Sequence, residues 1–299
     1  MVGNRNFPTP LLKISDKIYA KFEGVNPSGS IKDRMATYII NDAEKNKLIK
    51  KGDTIIEATS GNSGIAFAFL AAERGYKCKI VMPKNMSDER KKMLKLYGAE
   101  LIEVEDGKFD DAIALRDKLA LENNWFNPNQ FHNPLNIEAH KNSTALEILD
   151  QHPTDISAFI NGTGTGGTLM GIAPILKFYN NMKTIAVEPA ESPVMSGGKP
   201  GLHGIQGIGD GSKFLVDLTQ VDEIIVISTK DAKKRARQLA QEMGLMVGIS
   251  SGANILAAER WVIQNNPIGD VITILSDRGE RYLSCIFERE IDYDPRLNS

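Results

Sequence analysis

The run N-G-T-G-T-G-G-T-L-M-G, Asn161 to Gly171, decides how this chain folds. It follows the strand-like S-A-F-I and precedes the apolar I-A-P-I-L, so it reads as a turn from a strand into a helix. Gly162, Gly164, Gly166 and Gly167 permit tight turning and close approach, while Thr163, Thr165 and Thr168 add hydroxyl donors. A loop of this kind at a helix N-terminus aims N–H groups at a phosphate, and the helix dipole favours the dianion. The run is therefore read as a phosphate cup. No Lys-Ser/Thr follows it, which excludes a Walker A loop, and it is not read as a clean G-x-G-x-x-G dinucleotide fingerprint with an acid at the expected distance. A turn that is merely glycine-rich is the plainer alternative, and the interleaved threonines argue against it.

The same rhythm extends outward. Short β-branched runs at 54–58 (T-I-I-E-A), 78–82 (C-K-I-V-M), 100–104 (E-L-I-E-V), 158–161 (A-F-I-N), 184–188 (T-I-A-V-E) and 270–275 (D-V-I-T-I-L) alternate with helical patterns such as 62–75 and 87–98. This alternation predicts βα units around parallel sheets. The polar stretch 123–136, N-N-W-F-N-P-N-Q-F-H-N-P-L-N, breaks the rhythm, so a domain junction is placed there or just after it. Trp125 and Phe126 are read as packing residues near that junction. A two-lobed α/β protein with its site in the cleft between lobes is expected.

Composition narrows the partners. The 299 residues carry a formal net charge of -2 at a pI near 6.2, which gives no field to attract nucleic acid or an anionic membrane. Two cysteines, Cys78 and Cys285, support neither a disulfide scaffold nor a metal cluster, and a reducing cytoplasm fits. His132, His140, His152 and His203 are too scattered to suggest a metal site and are read as surface residues. The start M-V-G-N-R-N-F-P lacks the apolar core of a signal peptide, and the sequence is read as lacking a regulatory module beyond D-Y-D-P-R-L-N-S (292–299).

Two further loops crowd small polar residues at helix starts. In E-A-T-S-G-N-S-G (57–64), Thr59, Ser60, Asn62 and Ser63 suit a small carboxylate, although Ser60 or Asn62 could simply cap the helix that follows. In G-I-S-S-G-A-N (248–254), Ser250 and Ser251 are read as helix caps. The turn L-S-D-R-G-E-R-Y (275–282) after the last strong strand adds Ser276 and Asp277. Finally, N-P-S-G-S-I-K-D-R (26–34) puts Lys32 where a helix should begin, and the positive end of a helix disfavours a resting ammonium. A lysine, a phosphate cup and a carboxylate loop together suggest a phosphorylated carbonyl cofactor held as a Schiff base.

At this point the chain resembles the cysteine synthase (O-acetylserine sulfhydrylase) and cystathionine β-synthase family of fold-type II pyridoxal-phosphate enzymes. The motifs that carry the likeness include N-P-S-G-S-I-K-D-R (26–34), E-A-T-S-G-N-S-G (57–64), M-P-K-N-M-S-D-E-R (82–90), G-T-G-T-G-G-T (162–168), G-I-Q-G-I-G (204–209) and I-S-S-G-A (249–253). The resemblance implies a two-lobed, tryptophan synthase β-like α/β fold of parallel-rich twisted sheets flanked by helices. Residues 33–140 would form a smaller mobile lobe, and 1–32 plus 141–299 a larger one.

It further implies pyridoxal 5'-phosphate bound to Lys32, which returns as the general base. Asn62 would contact the ring hydroxyl oxygen, and Gly164, Thr165, Gly166, Gly167 and Thr168 the phosphate. Thr59, Ser60, Asn62, Ser63 and Gln130 would take the substrate carboxylate, and Ser276 the pyridine nitrogen. Asp277, next door, would point its carboxylate elsewhere. The reaction implied is β-replacement, forming L-cysteine from O-acetyl-L-serine and sulfide through an α-aminoacrylate. A homodimer, and binding of the serine acetyltransferase C-terminal tail in the cleft, are implied by the family alone.

Two stretches depart from the family pattern. S-T-A-L-E-I (143–148) stands where relatives read T-T-G-P-E-I, and Asp210 stands where alanine is common. A carboxylate bordering the cleft could activate water, which opens a cysteine lyase reaction that releases sulfide from cysteine to give serine, or a cystathionine β-synthase-like condensation. The plainer reading of Asp210 is a solvated loop acid. A nucleotide-binding α/β protein without pyridoxal phosphate would leave Lys32 unexplained.

Overall fold

The computed structural model describes residues 8–59, 61–84, 87–105, 109–152 and 154–286. In chain order the strands are β1 (Leu11–Lys13), β2 (Ile18–Phe22), β3 (Thr54–Ala58), β4 (Lys77–Pro83), β5 (Glu100–Val104), β6 (Ile156–Gly162), β7 (Lys183–Pro189), β8 (Glu223–Ile227) and β9 (Asp270–Leu275). The helices are α1 (Lys32–Lys45), α2 (Asn62–Arg74), α3 (Asp88–Leu96), α4 (Phe109–Asn123), α5 (Leu135–Lys141), α6 (Thr144–Gln151), α7 (Gly167–Tyr179), α8 (Thr229–Met243), α9 (Ile249–Asn265) and α10 (Leu283–Ile286). All six strands marked in the sequence are present. β1, β2 and β8 lie outside those six.

The strands form two sheets among the described residues. The smaller is all parallel in the order β3-β4-β5. The larger runs β1-β2-β9-β6-β7-β8 and is parallel except for β1, which lies antiparallel on β2. Parallel sheets need helices on both faces, which is why the strands read as near-continuous apolar runs. β3 shows this residue by residue: all five positions are buried. Ile55 packs with Ile65 and Leu70 of α2, whereas Ile56 and Ala58 meet Ala112 and Ala120 of α4 on the opposite side. In β6, Ala158 and Ile160 pack toward Ala253 and Ala257 of α9, and Phe159 toward Leu169 and Leu176 of α7.

The Asn- and Pro-rich stretch that breaks the rhythm lies along the small sheet. Phe126 donates its N–H to Thr54 O and accepts from Ile56 N, both at 2.9 Å, so it extends the β3 edge. Trp125 packs with the cluster between β3 and α4. The chain then enters α5, which lies against both α1 and α7. No described helix is long and apolar enough to cross a membrane.

Candidate active site

In an open parallel sheet the ligand crevice lies outside the carboxyl ends of the strands. Here the loops that leave β3, β6 and β9 at those ends converge with the segment that leads from β2 to α1. Two adjoining cavities result, and they share Lys32, Asn62, Thr165 and Gly207 in their walls.

Lys32 opens α1, and its position is fixed by its neighbours. Ile31 donates its N–H to Ser276 O at 2.9 Å, and Lys32 N lies 3.3 Å from Ser30 Oγ. Burial pushes the Lys32 amine below its ordinary value, and attraction to Asp210 and Asp277 offsets only part of that shift. Its Nζ makes no hydrogen bond or ion pair among the described residues. A buried amine held toward neutrality is a nucleophile and a proton acceptor.

The glycine-rich loop turns into α7 at Gly166, which sits at φ +89° and is the N-cap of that helix. A side chain there would be strained, and one at Gly167 would place its Cβ 2.0 Å from Asn136 Oδ1. Gly164, Thr165, Gly166 and Thr168 line one of these cavities with Asn161, Gln206, Ser250 and Ser276. The loop thus gathers where the sequence predicts. Gly167, the remaining member, is buried at the start of the helix behind them.

Thr59, Asn62, Ser63 and Gln130 line the other cavity together with Arg90 and Phe131. Ser63 Oγ donates to Gln130 Oε1 at 2.5 Å, and Gln130 Nε2 donates to Ala58 O at 3.2 Å. A buried ion pair supports them: Arg116 Nη1 donates to Glu57 Oε1 at 2.6 Å, while Gln130 N donates to Glu57 Oε2 at 3.1 Å. Ser60 lies outside the described residues. Asn62 does not cap α2, whose N-cap is Gly61 without a side-chain bond.

Asn62 is instead held across the cleft. Its Nδ2 donates to Asp277 Oδ2 at 2.5 Å and its Oδ1 accepts from Arg281 Nη1 at 2.6 Å, which leaves one amide hydrogen unassigned. Asp277 is fully buried, accepts from Tyr282 Oη as well, and does not line either cavity, whereas the adjacent Ser276 does. Desolvation raises the Asp277 carboxyl, with the Arg281 charge and the hydrogen bonds from Tyr282 and Asn62 opposing. The Ser276 hydroxyl has no hydrogen-bond partner among the described residues.

Three sequence expectations need correction. Ser250 and Ser251 do not cap α9, whose N-cap is Gly248 without a side-chain bond; Ser251 Oγ accepts from Ser276 N at 2.9 Å, and Ser250 lines the cavity. Ser251 serves the turn after β9 because α9 begins beside it, with Gly248 N donating to Asp277 O. His140 and His152 are not surface residues: they are 1% and 5% exposed, since α5 and the end of α6 pack inward. Asp210 is not a solvated loop acid: it is half-buried, shares the Thr59–Gln130 cavity with Lys32, and burial raises its carboxyl against the pull of Lys32 and His203. The sequence reading also passed over Arg90, although M-P-K-N-M-S-D-E-R contains it, and over Asn136 on α5.

This donor set suits pyridoxal phosphate. An unpaired amine, an unpaired hydroxyl on Ser276, whose carbonyl accepts from the amine's neighbour Ile31 at 2.9 Å, and a glycine-threonine cup at a helix N-terminus border one cavity. They define an α/β enzyme that works through a carbonyl cofactor anchored by its phosphate. The chain matches the family described as "Pyridoxal-phosphate dependent enzyme" over residues 3–277. It is 43% identical to the cysteine synthase of Staphylococcus aureus (strain Mu50 / ATCC 700699) over 287 residues, covering 92% of this chain and 93% of that one. Among solved structures, cysteine synthase from Entamoeba histolytica superposes with a TM-score of 0.90 at 39% identity, covering 97% of this chain and 91% of that one. A hydrogen sulfide-producing enzyme from Fusobacterium nucleatum gives 0.89 at 41% identity, covering 95% and 99%. The chain belongs to the pyridoxal-phosphate-dependent enzyme family and works with that cofactor.

Proposed function

We propose that this enzyme is a cysteine synthase, forming L-cysteine from O-acetyl-L-serine and sulfide. The observation that carries the reading is the place of Lys32, whose unpaired amine, its proton affinity lowered by burial, stands where the phosphate-cup cavity meets the carboxylate-loop cavity. The 43% identity to a cysteine synthase over nearly the whole chain points the same way.

In this reading Gly164, Thr165, Gly166, Gly167 and Thr168 hold the phosphate, Asn62 the ring hydroxyl oxygen, and Ser276 the pyridine nitrogen. Thr59, Ser60, Asn62, Ser63 and Gln130 hold the substrate carboxylate. Pyridoxal phosphate, when bound, supplies the electron sink for the charge left at the substrate Cα. Lys32 Nζ takes the α-proton, acetate leaves from Cβ with the bonding pair, hydrosulfide adds to Cβ, and Nζ returns a proton to Cα. A hydroxyl rather than an acid at the pyridine nitrogen leaves the ring largely neutral, which favours elimination over prolonged carbanion chemistry. Residues 33–140 would move as a lobe over 1–32 plus 141–299, excluding water once substrate is seated.

A second reading rests on Asp210. A carboxylate that shares a cavity with Lys32, with burial raising its proton affinity, is placed to take a proton from water. The enzyme would then release sulfide from cysteine and leave serine, or join serine to homocysteine. The sulfide-producing likeness from Fusobacterium nucleatum supports this alternative.

The experiment is to supply the holoenzyme with O-acetylserine and sulfide, and separately with cysteine alone, and to quantify cysteine and sulfide. Cysteine formation dominating by ~100-fold or more in kcat/KM, about 2.7 kcal/mol in barrier, supports the synthase. Dominant sulfide release transfers the assignment to the lyase. Cytoplasmic location, a homodimer and docking of the serine acetyltransferase tail belong to the same proposal. Sizing by light scattering and titration with the tail peptide test the latter two.

A further inference from the structure

We propose that Asn136 and His140 of α5 are positioning residues that fix which way the Thr165 and Thr168 hydroxyls of the phosphate cup point, so that both donate to the cofactor phosphate. The proposal rests on the reading of residues 162–168 as the phosphate site. The two residues lie one helical turn apart and so share a face of α5. That face lies on the start of α7: a Cβ at Gly167 would meet Asn136, and one at Gly171 would lie 2.7 Å from His140 Cβ.

Asn136 settles Thr165. Its Nδ2 donates one hydrogen to Gln130 O and the other to Thr165 Oγ1, both at 2.9 Å. The reverse amide orientation would set its Oδ1 against the Gln130 carbonyl, two acceptors with no proton between them. Thr165 Oγ1 also accepts from Gly167 N at 3.4 Å. With both lone pairs engaged, the Thr165 hydroxyl has only its hydrogen left to offer. Asn136 thereby ties the phosphate cup to Gln130, which Ser63 of the carboxylate loop also contacts.

His140 settles Thr168. Its ring bridges two hydroxyls, with Nδ1 3.0 Å from Thr144 Oγ1 and Nε2 3.3 Å from Thr168 Oγ1. Burial, aided by the Arg34 and Lys32 charges, holds the ring neutral, so one nitrogen donates and the other accepts. With the proton on Nδ1, Thr168 must spend its own hydrogen on Nε2 and turn lone pairs toward the phosphate. With the proton on Nε2, the ring donates to Thr168 Oγ1, Thr144 donates to Nδ1, and the Thr168 hydrogen is released to the phosphate. A dianion selects the second arrangement, and the chain of donors polarises in its direction.

The test compares apoenzyme affinity for pyridoxal phosphate with that for pyridoxal, which lacks the phosphate. His140→Leu should weaken pyridoxal phosphate binding about tenfold, in line with loss of a partner behind a charged ligand, and leave pyridoxal within about twofold. His140→Gln, whose amide can donate from near Nε2, should restore most of the difference. In the wild-type holoenzyme, nitrogen-15 signals assigned by substituting His132, His152 and His203 in turn should show the His140 proton on Nε2. Equal weakening toward both ligands, or a proton on Nδ1 in the holoenzyme, overturns the proposal, and the second readout needs no variant at His140. Thr168→Val serves as the control: if it lowers the preference for pyridoxal phosphate while His140→Leu does not, this proposal alone fails. If Thr168→Val leaves that preference untouched, the phosphate-site reading fails as well.

Discussion

The Ile31 amide donates to the Ser276 carbonyl at 2.9 Å, so the residue before the Schiff-base candidate Lys32 is pinned to the residue proposed to meet the far end of the cofactor ring. The two segments come from opposite ends of the chain, and β2 pairing with β9 brings them together. The distance between the lysine and the ring-nitrogen partner is therefore set by sheet register.

Lys32→Ala should abolish the covalent link to the cofactor and lower cysteine formation by at least about 10³-fold, the loss expected when a nucleophile and base is removed. Absorption spectra and borohydride reduction followed by peptide mapping check this. A variant with near-normal turnover would overturn the assignment.

Asp210→Asn separates the two proposed reactions. Under the synthase reading it should change cysteine formation by less than about threefold, whereas under the lyase reading it should cut sulfide release from cysteine by ~100-fold or more, as removal of a general base does. Initial rates for both directions on one preparation decide.

Arg116→Met should unfold the small sheet's support for Gln130. It leaves the buried Glu57 carboxylate without its 2.6 Å partner, and stranding such a charge costs about 3–5 kcal/mol. A lower urea midpoint with a raised KM is expected. Unchanged stability would show that Glu57 takes up a proton in the native enzyme.

His140 also makes a pH prediction. Its folded pKa is well below 6.5 while the unfolded chain has an ordinary histidine, so the unfolded state binds the extra proton. Stability from this site is complete above pH ~6.5 and falls by up to about 1.4 kcal/mol per unit as pH drops below it. Urea titrations of wild type and His140→Gln at three values between pH 7.5 and 5.5 should show a shallower acid slope in the variant, and parallel slopes would refute the buried neutral ring.

Much of this was legible in the sequence because parallel sheets write themselves as apolar runs and phosphate loops as glycine and threonine. The bounds of β3, β5 and β9 fall where T-I-I-E-A, E-L-I-E-V and D-V-I-T-I-L begin and end. β2 was harder to see because I-Y-A-K-F carries Lys21, which is wholly buried and reaches Gln151 Oε1 at 2.7 Å and Glu147. Such a partner is invisible along the chain. Asn136 and His140 were missed for the same reason: α5 is short, and what its side chains touch depends on how closely glycines let α7 approach. Ser250 and Ser251 misled because a serine at a helix start looks like a cap whether or not it turns toward a neighbouring strand end.

Most of the loops assigned to chemistry leave the carboxyl ends of parallel strands, and the turns that enter β3, β4 and β7 line neither cavity. The segments 51–53 before β3, 75–76 before β4 and 180–182 before β7 therefore lie away from the cleft, and exposed positions among them, such as Lys51 and Asn181, carry none of the chemistry. An affinity tag or a reporter peptide grafted there should leave turnover intact, which makes that side the natural handle for immobilising the enzyme with its mouth toward solution.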